Sequence, residues 1–133
     1  MHSGPLDLGT WSLTADWVSA YRSATADNAA DNTVPPLALA ARALADLLDE
    51  LRLPGGAVHG AQEIECHQTA FVGDQVHITA DVGRPAQRGN FRFVVAGFRV
   101  EGPDNEAIVT GKCTVILPKP VSPRSQEDAA NVG

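Results

Sequence analysis

The 133-residue chain is poor in the features that announce most chemistries. It has two cysteines, Cys66 and Cys113, with no CxxC pair and no metal-ligand spacing, so a zinc or disulfide framework is excluded. Both thiols fall on strand-like stretches and are expected to be small buried hydrophobes in a reducing compartment. Positive charge is scarce: ten Lys and Arg stand against sixteen Asp and Glu, a net charge of −6. Phosphate-backbone binding needs a basic face, so nucleic acid is not expected as a partner, and attraction to an anionic membrane fails for the same reason. No apolar run approaches the ~20 residues of a membrane span, and the N-terminus lacks the charged flank and apolar core of a signal peptide. A cytoplasmic location is expected. There is no glycine-rich phosphate loop, no GxSxG elbow and no ligand cluster, so neither a metal nor a cofactor is expected.

What is present is orderly. A 44% hydrophobic, 20% charged chain of this length is expected to form one domain over residues 1–118, burying roughly two-thirds of its unfolded surface. Residues 119–133 form a polar, proline-containing tail. "SLTADWVSAYRSATAD" predicts a short helix with Ser12 or Thr14 as N-cap and Trp17, Val18 and Tyr21 on one face. A loop rich in Ala, Asp and Asn follows over 24–33.

Residues 35–52 carry the strongest helix signal. Pro35 and Pro36 suit a first turn, and "LPGG" at 53–56 stops the element. Leu37, Ala41, Leu44, Leu48 and Leu51 are expected to form the core stripe, widened by Ala40 and Leu47. The rest reads as strands. "QVHITADV" alternates on Val76, Ile78, Ala80 and Val82, "FRFVVAGFRV" on Phe91, Phe93 and Val95, and "AIVTGKCTVIL" on Ala107, Val109, Cys113, Val115 and Leu117. "VGD" at 72–74 and "EGPDNE" are turns, and "RPAQRGN" at 84–90 is a loop. One apolar helix followed by antiparallel strands gives an α+β class, and the exposed sheet edges call for partners or protection.

Three stretches carry a family resemblance: "YRSATAD", "VPPLALAARAL" and "AVHGAQEIECHQTAFVGDQVHITADV". In order and spacing, over roughly residues 12–118, they resemble the MaoC-like (R)-specific enoyl-thioester hydratases and 3-hydroxyacyl dehydratases. The resemblance is to the substrate-end half of double-hotdog members. It implies a hotdog fold, a curved antiparallel sheet around one central helix. It also implies an acyl-coenzyme A or acyl-carrier-protein thioester as ligand, and a homodimer or a heterodimer with a second hotdog chain.

The family's active loop reads Gly-Asp-x-Asn-Pro-x-His, and a glycine N–H at the start of the helix binds the thioester oxygen. Laid on that pattern, Asp27 keeps the acid, but Ala29 and Ala30 stand at Asn-Pro and Asn32 stands at the histidine. An amide orients water but carries no proton near neutral pH, and losing such a carrier costs about 10²–10⁴-fold in rate. Pro36 falls at or beside the glycine. Proline has no N–H, and one lost oxyanion donor costs on the order of 10²–10³-fold. Leu37 N–H could substitute.

The expected site is therefore Asp27 and Asn32 in the catalytic positions, with Tyr21, Pro36, Leu37 and His59 toward substrate and Arg84 and Arg88 toward carrier phosphates. Each has a plainer role as turn, strand or solvated loop residue. Glu63 and Glu65 are the nearby candidates to partner His59, while His67 and His77 read as solvated strand positions. The leading expectation is an auxiliary, non-catalytic subunit. The alternatives are an active homodimeric hydratase with an altered acid–base set, a thioesterase using Asp27 or Asp31, and a dehydratase or cyclase on a polyketide-like chain.

Overall fold

A computed structural model describes residues 3–25 and 32–118. Asp27, Asp31 and the tail lie outside the described residues. The elements run β1 (Gly4–Ser12), α1 (Ala15–Ala24), β2 (Thr33–Val34), α2 (Pro36–Leu51), β3 (Val58–Cys66), β4 (Ala70–Phe71), β5 (Gln75–Val82), β6 (Ala86–Arg88), β7 (Phe91–Glu101) and β8 (Ala107–Pro118). The main sheet is antiparallel in the order β1-β5-β7-β8-β3, with β6 hairpinned onto β7 inside the stretch expected to be plain loop. β2 and β4 make a separate small ladder.

The expected α+β class holds, with α2 packed chiefly against β7 and β8. Thr14, not Ser12, caps α1, its Oγ1 accepting the Trp17 N–H at 3.2 Å. α2 ends at Leu51 because Arg52 turns left-handed (φ 48°) and Pro54 cannot continue the helix.

Three expectations need correction. α2 buries Leu39, Ala40, Ala43, Leu47 and Leu51, whereas Leu37 is 61% exposed, Ala41 is exposed, and Leu44 and Leu48 are only half-buried. The core face is thus rotated from the expected stripe. The helix is apolar around most of its girth, so periodicity alone did not fix which side turned inward. β7 shows the same ambiguity: Val94, Ala96, Phe98 and Val100 face the helix, leaving Phe91 and Val95 exposed. The N-terminal segment, given no element from sequence, is strand β1. Its alternation is broken by a bulge between Asp7 and Gly9, where Gly9 takes φ 97° and donates to the Asp7 carboxylate at 2.8 Å.

A candidate acyl-binding groove

The start of α2 is set by its prolines. Pro35 is the N-cap and makes no side-chain cap, and Pro36 opens the first turn; neither has an N–H. Ala38 N–H is taken by Pro35 O at 3.0 Å. Among the described residues, Leu37 N–H has no backbone acceptor. No acidic side chain lies in the first turn of α2 to offset the positive end of the helix dipole.

Beside it runs a groove of about 580 Å³ lined by Tyr21, Leu37, Ala41, Leu44, Gln62 and Ile64. Three elements build it: α1 gives Tyr21, the outward stripe of α2 gives Leu37, Ala41 and Leu44, and β3 gives Gln62 and Ile64. Apolar lining next to an amide donor suits an extended acyl chain with a polarised carbonyl at one end. A second hollow, of about 560 Å³, lies across β1, β5 and β7 near Gly97, lined by Leu6, Ala80 and Phe98 as well as by Asp7, Asp81 and Arg99. It has no helix terminus.

The loop expected to hold Asp27 springs from the end of α1 and returns at Asn32. Its two ends are tied together by Arg22, largely buried, whose Nη2 donates to Thr33 O at 2.7 Å. Asn32 is exposed, and its carbonyl accepts Val72 N–H at 2.7 Å, which fixes the return to the β4 turn. Of the residues expected toward substrate, Tyr21 and Leu37 line the groove, and Pro36 directly precedes Leu37 at the start of α2.

His59, Arg84 and Arg88 lie elsewhere. β4 pairs with β2 just before α2 begins, so the end of β3 near Cys66 lies by the helix start. His59 is at the other end of β3, exposed, its ring nitrogen 3.1 Å from Ala61 O. Arg88 pairs with Phe91, which pairs with Pro118, and Pro118 lies beside Gly56 just after the helix C-terminus. The exposed arginines are therefore at the far end of the sheet from Leu37.

Sequence reasoning missed Ala41, Leu44, Gln62 and Ile64 as groove residues. The signal available was a helix stripe too wide for a single packed face. Cys113 is buried as expected, and burial pushes its thiol up. Cys66 is exposed, contrary to expectation, because it ends an edge strand. Among the described residues no helix is long and apolar enough to cross a membrane.

The overall fold is shared with many solved structures. One similar structure is the (R)-hydratase from A. caviae involved in PHA biosynthesis, with a TM-score of 0.72 at 20% identity over 89% of this chain and 98% of that one. The MaoC-like dehydratase from Rhodospirillum rubrum gives a TM-score of 0.70 at 14% identity, covering 92% and 96%. The HadBC (3R-hydroxyacyl-ACP dehydratase) complex from Mycobacterium tuberculosis gives 0.66 at 16%, covering 87% and 98%. This chain has the hotdog fold. These three neighbours are described as an (R)-hydratase, a MaoC-like dehydratase and a 3R-hydroxyacyl-ACP dehydratase. No family model matches the sequence, and no curated protein matches it.

Within a hotdog, the groove takes its place at the front of the central helix, with β3 as its outer wall and as one edge of the sheet.

Proposed function

We propose that this hotdog chain is a MaoC-like acyl-thioester-binding subunit that does not carry a full hydratase site and works beside a second hotdog chain that does. The observation that carries this reading is the Pro35–Pro36 start of α2. It leaves Leu37 N–H to receive a thioester oxygen, with Tyr21, Leu44 and Ile64 along the acyl chain. Asn32, at the position of the proton-carrying histidine in the resembled loop, supports it. An amide there holds water or substrate but cannot complete the proton transfers of hydration. A similar structure described as a dehydratase complex gives the pairing a precedent in the fold.

A second reading, a self-sufficient hydratase, draws on the surviving Leu37 N–H and on Asp27. Both readings take a coenzyme A or carrier-protein thioester, and they differ in turnover.

The test is crotonyl-coenzyme A binding by calorimetry together with hydration followed by absorbance. The chain alone should bind the thioester and hydrate it at least about 10²-fold more slowly than a hotdog hydratase with Asp and His intact. Full activity in the isolated chain, abolished by Asp27→Asn, would refute the auxiliary role. Release of free thiol would instead assign a thioesterase.

A further inference from the structure

The outer face of the sheet, turned away from α2, has two unlike parts. The ladders fix which residues belong to it. Val94, Ala96, Phe98 and Val100 face the helix, so the alternate residues of β7 face outward, and their cross-strand partners face outward with them. From Gly97 toward the end of β7 this face is polar, carrying Asp81, Lys112, Arg99 and His77. On the other side of Gly97 it is apolar. Phe91, Phe93 and Val95 follow one another on β7, Ile116 stands opposite Phe93 on β8, and Val58 stands opposite Ile116 on β3. Val58 is 57% exposed, Phe91 53% and Val95 43%, so three of the five exposed large hydrophobic side chains among the described residues share one patch. The patch crosses four adjacent strands from β6 to β3, about 14 Å, and runs about 14 Å along β7. Contiguous apolar surface of this kind marks an interaction site.

The patch is also the cationic end of an acidic chain. The segments that build this end of the sheet, 54–62, 83–97 and 113–118, contain no Asp or Glu, although the protein has sixteen. They do contain arginine. Arg88 is the hairpin partner of Phe91 and lies beside it on the outer face, and Arg84 is exposed in the segment leading into β6. Neither makes an ion pair among the described residues, whereas Arg42 and Arg99 are matched to Asp46 and Glu101. An apolar surface rimmed by unmatched guanidinium groups is complementary to an apolar surface rimmed by carboxylates.

Hydrogen bonding restricts the occupant further. At the patch β7 is laddered to β6 on one side and β8 on the other, and β8 is laddered to β7 and β3. Their backbone groups are already paired, so the face cannot take an added strand and must be read through side chains. An amphipathic helix supplies a continuous apolar stripe with charges on its flanks, and two to three turns, about 11–16 Å, match the patch. We propose that this face binds a partner protein through an amphipathic helix with Asp or Glu flanking its apolar stripe. Phe91, Phe93, Val95 and Val58 receive the stripe, and Arg84 and Arg88 receive the carboxylates. The face lies on the opposite side of the sheet from the groove, so the inference goes beyond the acyl-binding reading and does not rest on it.

The experiment titrates the full chain into a fluorescently labelled synthetic helix of about 18 residues, long enough to fold unaided, and reads anisotropy. Three peptides are compared: a leucine stripe flanked by glutamates, the same stripe flanked by lysines, and the glutamate peptide with its leucines scrambled. The glutamate helix should bind at least about tenfold more tightly than the other two, and less tightly at high salt. Val95→Glu should weaken it by at least about tenfold. Val95→Thr, which keeps the β-branched shape, should weaken it too and serves if the first variant folds poorly. Arg84→Glu/Arg88→Glu should transfer the preference to the lysine helix. Equal binding of the three peptides, binding of none, or affinities untouched by the Val95 and arginine changes would overturn the proposal. So would a wild-type dimer in sedimentation equilibrium that Val95→Glu dissociates, because the face would then belong to a second copy. Failure to bind crotonyl-coenzyme A would remove the proposed function and leave these titrations unchanged, so the two failures are distinguishable.

Discussion

Phe98 lies across Gly111, its partner in the β7–β8 ladder, and its ring fills the space where a Cβ at position 111 would stand. The glycine is what lets a buried aromatic lie flat between α2 and the sheet, since Phe98 is 3% exposed. Gly111→Ala should therefore destabilise the protein by about 1–3 kcal/mol through overpacking, despite alanine's better strand propensity. A urea titration measures this. An unchanged midpoint would show that the ring moves aside freely.

The groove predicts two opposite kinds of variant. Leu37→Pro keeps a residue tolerated in a first turn but removes the Leu37 N–H at the helix start. Thioester affinity should fall roughly tenfold, with Leu37→Ala as the control that keeps the N–H. Ala41→Phe adds a ring on the exposed face of α2, inside the groove. It should weaken long acyl thioesters more than short ones, with stability changed by no more than about 0.5 kcal/mol. Calorimetry across a chain-length series reads both.

Asp7 and His77 meet at 2.8 Å across β1 and β5. The hydrogen bond from His77, and then the one from Gly9 N–H, hold the Asp7 carboxyl below its ordinary 3.8. A depressed folded value stabilises the native state above the unfolded value and loses that effect as pH falls through the folded one. Asp7→Asn should accordingly flatten the acid limb of stability below about pH 4 and leave the slope near neutrality unchanged. Tryptophan fluorescence of urea unfolding at successive pH values, read from Trp11 and Trp17, checks it. An acid limb identical to wild type would contradict the link.

The two thiols should separate kinetically. Cys66 is exposed, while Cys113 is fully buried with its thiol pushed up by desolvation. A thiol reagent at neutral pH should modify one cysteine in the native protein and the second only on unfolding. Simultaneous modification of both would show that β8 opens readily.

Much of the site was visible in the residues but not assembled. "VPPLALAARAL" announces a helix whose first turn lacks amides, because proline carries that information in its covalent structure. Tyr21 and Leu37 were both among the expected substrate-side residues, and the structure brings them to one groove. Gln62 and Ile64 were not, because only the β3–β8 ladder brings that strand against the outward stripe of the helix. His59 was expected toward substrate and Arg84 and Arg88 toward carrier phosphates; only the direction of β3 and of the β6 hairpin shows that all three stand at the end of the sheet away from Leu37.

The sequence by itself determined the elements: where α2 starts and stops, which segments alternate, and which chemical groups the loop lacks. These are local properties, set by proline and glycine geometry and by the two periodicities. The tertiary structure alone decided which face of α2 and of β7 turned inward. Both elements are apolar on two sides, and the choice rests on strand order and packing between residues far apart in the chain. It also made β1 a strand, since a bulged, glycine-rich segment becomes one only when β5 supplies its hydrogen-bonding partner.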